Sequence, residues 1–176
     1  MTQQIETPID VRVDDLAFYE GDAIIRPVTA ELGATTPLLR RLEQAAGPEL
    51  ADQLRLAEPL EVGSAIVTAA GRLPVGLLVH AVITSDSEAV SRTSVRRALL
   101  SALQRAEGWG LSRVATPLLG LGPGNLEPEE SAQVMLEVLS QHLRRGSAYP
   151  GHLTLVAETD EEATVLRYYV SRSGLA

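Results

Sequence analysis

The chain has no cysteine, which removes disulfides, thiolate nucleophiles and thiolate metal sites together. Its three histidines, His80, His142 and His152, are scattered and form no ligand-spaced cluster, so no metal site is expected. Lysine is also missing: all 15 basic residues are arginine, against 23 acidic ones, for a net charge of −8. A Walker loop is therefore excluded, and so is a broad nucleic-acid surface, because duplex binding needs a basic face to neutralise phosphates. Aromatic side chains are only 3% of the residues (Phe18, Tyr19, Trp109, Tyr149, Tyr168, Tyr169), leaving few with which to build a base-stacking platform. The longest apolar run, Val75 to Ile83, is broken by His80 and is far too short to span a bilayer, and MTQQIETPID lacks a basic and apolar signal pattern. These absences lead us to expect a cytoplasmic protein with no membrane partner, no nucleic-acid partner and no cofactor.

What is present is a globular composition, 45% hydrophobic over 176 residues, which suits one domain spanning 1–176 with its core between about residues 9 and 170. Ile9, Val11 and Val13 alternate as in a strand, and Ala23 to Ile25 is a short buried-strand candidate. From Pro37 the spacing of Leu38, Leu39, Leu42, Ala45 and Ala46 is helical, with Gly47 as its stop and a second short helix over Pro48 to Ala57. Ala65 to Thr68, a turn at Gly71 to Pro74, and Val75 to Ile83 read as a hairpin with a central strand. Arg92 to Glu107 is the clearest helix, with Val95, Ala98, Leu99, Ala102, Leu103 and Ala106 on one face. A strand at Val114 follows, then a helix carrying Ala132, Met135, Leu136, Leu139 and Leu143 on one face, a strand Leu153 to Ala157, and a closing helix from Thr159 or Asp160 to about Val170. Alternation of strands and helices implies a three-layer α/β domain on a mixed, mostly parallel sheet of about six strands.

The stretch Arg113 to Ala132, RVATPLLGLGPGNLEPEESA, runs from an apolar strand through Gly120, Gly122 and Gly124 into a helix start. Glycines there permit positive φ and let a ligand approach the main chain, and a loop at a strand end can aim several N–H groups at an anion beside a helix N-terminus. A phosphate cradle and a plain glycine turn both fit this motif, which lacks the dinucleotide spacing G-x-G-x-x-G. Glu127, Glu129 and Glu130 crowd the following first turn, where their default role is to favour the helix dipole.

Taken with VGSAIVTAAGRLPVGLLVHAVI (Val62 to Ile83), Val13-Asp14-Asp15-Leu16 and Asp22-Ala23-Ile24-Ile25, this loop makes the chain resemble a macrodomain, the ADP-ribose-binding α/β module, over roughly Ile9 to Val170. The resemblance implies a macrodomain-like three-layer fold and a ligand cleft at the strand C-terminal ends, with Asp15 placed to accept from an adenine amino group. It places Leu16, Arg26, Thr29, Thr35, Gly120, Leu121, Gly122, Gly124 and Asn125 around an ADP-ribose-like small molecule. Arg26 stands at a strand end, where it can serve a phosphate or be a solvated rim charge. The departures matter as much. Where the family has Asn-Ala-Ala-Asn, this chain has Arg26-Pro27-Val28-Thr29, and Asn125 is its only asparagine. Its first loop, Gly33-Ala34-Thr35-Thr36-Pro37, is rebuilt. Pro123 removes a donor from the second loop, and neither Ala157 nor Glu158 can provide the family's aromatic stack. We therefore expect binding of ADP-ribose or a related adenine nucleotide rather than catalysis. The alternatives are an ADP-ribose-linked hydrolase with a non-standard site and a degenerate macrodomain serving as an interaction module. His80, inside an apolar run, reads as a hydrogen-bonded core histidine.

Overall fold

The computed structural model describes residues 9–175, so the reading of MTQQIETP lies outside the described residues. Six strands form one sheet: β1 (Ile9–Val13), β2 (Gly21–Thr29), β3 (Ala65–Ala69), β4 (Val75–Thr84), β5 (Arg113–Pro117) and β6 (His152–Ala157). Their spatial order is β1-β6-β5-β2-β4-β3, with every pairing parallel except β3 against β4. The helices are α1 (Pro37–Ala46), α2 (Pro48–Leu56), α3 (Arg92–Gly108), α4 (Pro128–Arg144) and α5 (Asp160–Ser173).

Alternation along the strands divides the core between two faces. Ala23 and Ile25 of β2 join Val79, Ala81, Val114 and Leu155 against α3, α4 and α5. Ile24 faces the other way with Leu78, Ala115 and Val156, and packs on Leu39, Leu42 and Ala46 of α1 and Leu50 of α2. This is the three-layer arrangement that the strand and helix alternation implied.

Local chemistry sets the helix starts. Thr36 Oγ1 accepts from the Leu39 amide at 3.4 Å with Pro37 as the first helical residue, and Ser91 and Ser94 form a reciprocal capping box at α3. Two differences from the sequence expectation stand out. β2 continues four residues beyond Ile25, because Arg26 is wholly buried and Pro27 and Val28 remain in register with Ala81 and Val82 of β4. A short 3-10 turn, Leu16–Phe18, follows β1 and is capped by Asp15, whose carboxylate accepts from the Ala17 amide at 2.9 Å.

The topology fixes where a ligand can sit. From β2 the chain moves to β3 and β4 on one side, and from β5 it moves to β6 on the other, so the connections diverge between β2 and β5. In open α/β sheets the crevice beyond the carboxyl ends of such strands is where ligands bind. Pairing of β2 with β5 is confined to Ala23↔Val114 and Ile24↔Ala115, which leaves the later part of β2 parted from β5.

Candidate functional site

Two loops face each other across that switch point. The loop after β2 begins in a tight knot: the Thr29 amide donates to the Gly33 carbonyl at 3.0 Å, the Leu32 amide to the Thr29 carbonyl at 2.8 Å, and the Gly33 amide to Thr29 Oγ1 at 3.1 Å. The knot forces Leu32, a non-glycine residue, to φ +66°. Left-handed backbone at a bulky residue persists only where its surroundings hold it. Leu32 is buried with Val28, Ala30 and Val82, and its carbonyl accepts from Arg26 Nη2 at 2.8 Å. Thr35, three residues on, has its Oγ1 buried with no hydrogen-bond partner among the described residues.

The loop after β5 opens on anchors to α4. Ser131 Oγ donates to the Leu119 carbonyl at 2.5 Å, and the Leu119 amide points at Met135 Sδ at 3.3 Å. Gly120, Gly122 and Gly124 then take φ values of +88°, +131° and +76°. The Leu126 amide returns to the Gly120 carbonyl and the Asn125 amide to the Gly122 carbonyl, closing a small loop on itself. The amides of Gly120, Leu121, Gly122 and Gly124 donate to no partner among the described residues. The two loops meet at Gly122: a Cβ there would lie 3.2 Å from Asn125 Nδ2 and 3.8 Å from the Thr35 carbonyl oxygen. At the entry to α4, Glu130 accepts from the Glu127 amide at 3.4 Å, which is the helix-stabilising role expected of these acids.

Between the loops the structure leaves a cavity of about 40 Å³, lined by Thr36, Leu39, Leu118, Leu121, Val156 and Glu158. That is little more than one water's share of the liquid, against the roughly 300–1,000 Å³ of a ligand pocket. Leucines make up much of its lining, and Glu158, also on its wall, forms an exposed ion pair of 3.1 Å with Arg41 of α1.

The sequence-selected residues separate into three groups. Thr29, Thr35, Gly120, Leu121, Gly122, Gly124 and Asn125 all lie on the two facing loops or at their roots. Asp15 is half-buried in the loop after β1, at the C-terminal end of the same sheet. Leu16 and Arg26 need correction. The Leu16 side chain is fully buried beside Tyr19 and Ile24, so only its main chain can reach a cleft. Arg26 is neither a rim charge nor free to meet a phosphate. It shares a sheet face with Ile24 and Val28, is fully buried, and donates from Nε to His80 Nδ1 at 2.9 Å, from Nη1 to Glu43 at 2.6 Å and from Nη2 to the Leu32 carbonyl.

His80 is the core histidine that its apolar run suggested, fully buried opposite Arg26 in the β2–β4 register. Because Nδ1 accepts from Arg26, the ring proton sits on Nε2 and is donated to Thr68 Oγ1 at 2.8 Å. Burial, assisted by the Arg26 charge, lowers the His80 pKa from 6.5 to about 3. Burial also lowers the Arg26 pKa, and Glu43 opposes that shift. Sequence reasoning missed Glu43, Leu32 and Thr68 as partners of this network. The available signal was one polar residue in each of two apolar runs, Arg26 and His80, each flanked at ±2 by buried aliphatic side chains.

With this geometry in view, comparison with known proteins places the fold. The Macro domain family model matches residues 37–135, more than half of the chain, and the chain belongs to that family. It is 24% identical over 173 residues to an O-acetyl-ADP-ribose deacetylase of Enterobacter sp. strain 638, covering 95% of this chain and 96% of that protein. An uncharacterised Mycobacterium tuberculosis protein is 26% identical over 139 residues; the match takes in 79% of this chain but only 38% of that longer protein. Among solved structures, the Oceanobacillus iheyensis macrodomain with ADP superposes with a TM-score of 0.84 at 19% identity, covering 98% of this chain and 95% of that one. Among the described residues no helix is long and apolar enough to cross a membrane.

Proposed function

We propose that the chain binds ADP-ribose or a related adenine nucleotide in the crevice between the β2 and β5 loops. The observation that carries this reading is the set of amides on Gly120, Leu121, Gly122 and Gly124, which have no partner among the described residues, on a loop that approaches Thr35, whose buried hydroxyl also has none among them. Unpaired backbone donors in a concave turn suit a diphosphate, whose charge shortens and strengthens each hydrogen bond. Asp15 keeps a second carboxylate oxygen for an exocyclic amine, Asn125 and Leu121 flank the phosphates, and Thr29 stands at the sugar end. The relative that acts on O-acetyl-ADP-ribose and the neighbour bound to ADP support the same ligand class.

Binding ranks above catalysis because Thr29, whose Oγ1 accepts from the Gly33 amide, carries no amide where the resemblance places the family's asparagine. One observation favours the interaction-module reading instead, namely the cavity of about 40 Å³. Ligand entry requires Leu121 and the Arg41–Glu158 pair to move aside, and an exposed pair of this kind is worth only about 0–1 kcal/mol.

Calorimetric titration with ADP-ribose tests the proposal, with Gly122→Glu as the informative variant. A carboxylate placed between the loops should abolish binding and leave the fold intact. Loss of even one charge-assisted hydrogen bond, about 1.5–3 kcal/mol, is already a tenfold or greater fall in affinity. Glu130→Gln, which keeps an acceptor for the Glu127 amide, should bind as the parent does. Assay of product release from an ADP-ribosylated substrate should show little turnover. If the parent fails to bind at millimolar ADP-ribose, the cradle is vestigial and the interaction-module reading takes its place.

A further inference from the structure

Thr35 of the β2 loop lies against the glycine loop, its carbonyl oxygen 3.8 Å from where a Cβ on Gly122 would stand, yet its own hydroxyl has no hydrogen-bond partner among the described residues. Its position is set by the two ends of its segment. Arg26 grips both. On the upstream side Nη2 fixes the Leu32 carbonyl at 2.8 Å, and on the downstream side Nη1 fixes Glu43, two turns into the helix that Thr36 caps, at 2.6 Å. The guanidinium is itself oriented by Nε on His80 Nδ1 at 2.9 Å, and His80 is oriented by Thr68 on the adjacent strand.

Three acceptors on three separate segments need a planar fork with donors in fixed directions, which an ammonium cannot reproduce. A fully buried arginine is also a poor device for stability alone, since well-packed apolar side chains of similar volume commonly do as well. We infer that Arg26 is a positioning residue for the cleft: acting from inside the core, it ties Leu32, where the loop begins, to Glu43 on the helix that the loop leads into, and so sets where Thr35 stands opposite Gly122. The affinity readout of this role rests on the nucleotide reading above, whereas the structural readout does not.

The experiment pairs backbone amide exchange with ADP-ribose titration, both run well below the thermal midpoint, where each variant is folded. Arg26→Lys should speed exchange at residues 33–36 and raise the ADP-ribose Kd, each by about tenfold or more, as expected when a hydrogen bond to a charged group is lost. Exchange in β4 and β5 should stay at the parent level. Should Arg26→Lys fail to fold, the Glu43 pair decides. Glu43→Gln keeps an acceptor for Nη1 and should hold residues 33–36 as the parent does, at lower global stability, whereas Glu43→Ala should loosen residues 33–36. Parent-like exchange at residues 33–36 in Arg26→Lys or Glu43→Ala overturns the inference. So does acceleration spread evenly over the sheet, which is what mere destabilisation produces. If the parent binds no ADP-ribose, the ligand reading fails by itself and the exchange pattern still decides whether Arg26 positions the loop.

Discussion

The buried His80 makes a quantitative demand on how stability varies with pH. In the unfolded chain its imidazole titrates near 6.5, and in the native core it is held neutral down to about 3. Between those values the unfolded state binds one more proton than the native state, so stability rises with pH across this window. The contribution is complete above about pH 6.5 and is lost progressively as the pH falls toward 3. A full pH unit inside the window is worth about 1.36 kcal/mol, so acidification from 6.5 to about pH 4 removes about 3 kcal/mol, a large share of a domain's typical 5–15 kcal/mol. Carboxylates also titrate at the low end, so the measurement must be a difference. Urea unfolding of the parent and of His80→Gln, whose amide oxygen can accept from Arg26 Nε, should be followed from pH 7.5 to pH 4. The stability advantage of the parent should be flat above pH 6.5 and shrink steadily below it. A gap that stays constant down to pH 4 would refute the claim that a buried neutral imidazole accepts from the guanidinium. Imidazole nitrogen shifts offer an independent check, since the geometry requires the Nε2–H tautomer at neutral pH.

The other predictions concern the loops. Gly120→Ala places a methyl 2.9 Å from Val95 Cγ2 and 3.1 Å from Val90 Cγ1 at φ +88°, so denaturant unfolding should show a loss of about 2–4 kcal/mol from strain and overpacking together. Gly124→Ala, at φ +76° with open space around it, should lose only about 1 kcal/mol; equal losses at the two sites would mean that packing beneath Gly120 is not what selects glycine there. Arg41→Ala should change stability by less than about 1 kcal/mol, because the pair it breaks is exposed, and should raise rather than lower ADP-ribose affinity by freeing the cleft mouth. Weakened binding in Arg41→Ala would show that the arginine contacts ligand.

Elements whose limits are set by local chemistry were legible in the chain. Pro37 at the head of a 3.6-residue apolar pattern and Gly47 after Ala46 each specify a helix end without reference to anything distant. β2 was read too short because Arg26 and Pro27 break the apolar run, and what buries them lies far away in sequence: His80, 54 residues on, and Glu43. The same limit applies to the site. Positive φ at Gly120, Gly122 and Gly124 follows from glycine spacing alone, but the approach of Gly122 to Thr35 depends on how β2 and β5 sit in the sheet. Arg26 was read as a phosphate ligand or a solvated rim charge because a charged residue at a strand end usually reaches water, and periodicity could have argued otherwise. Ile24, Arg26 and Val28 share one face, and a side chain between two fully buried neighbours has nowhere else to go.

The two sides of the cleft are therefore held by forces of different size. On the β2 side, removing one partner of the buried Arg26 network leaves a charge or a lone pair uncompensated in the core, a loss of about 3–5 kcal/mol for a buried pair. On the β6 side, the contact is the exposed Arg41–Glu158 pair, worth about 0–1 kcal/mol, beside leucine side chains that can change rotamer. On the proposed reading, a ligand entering between the loops meets its least resistance at Leu121 and Glu158, while Leu32 to Thr36 stays where the guanidinium holds it. The small cavity is bounded by Leu39, Leu118, Leu121, Val156 and Glu158, so on that reading it is these side chains, and not the β2 loop, that must give way.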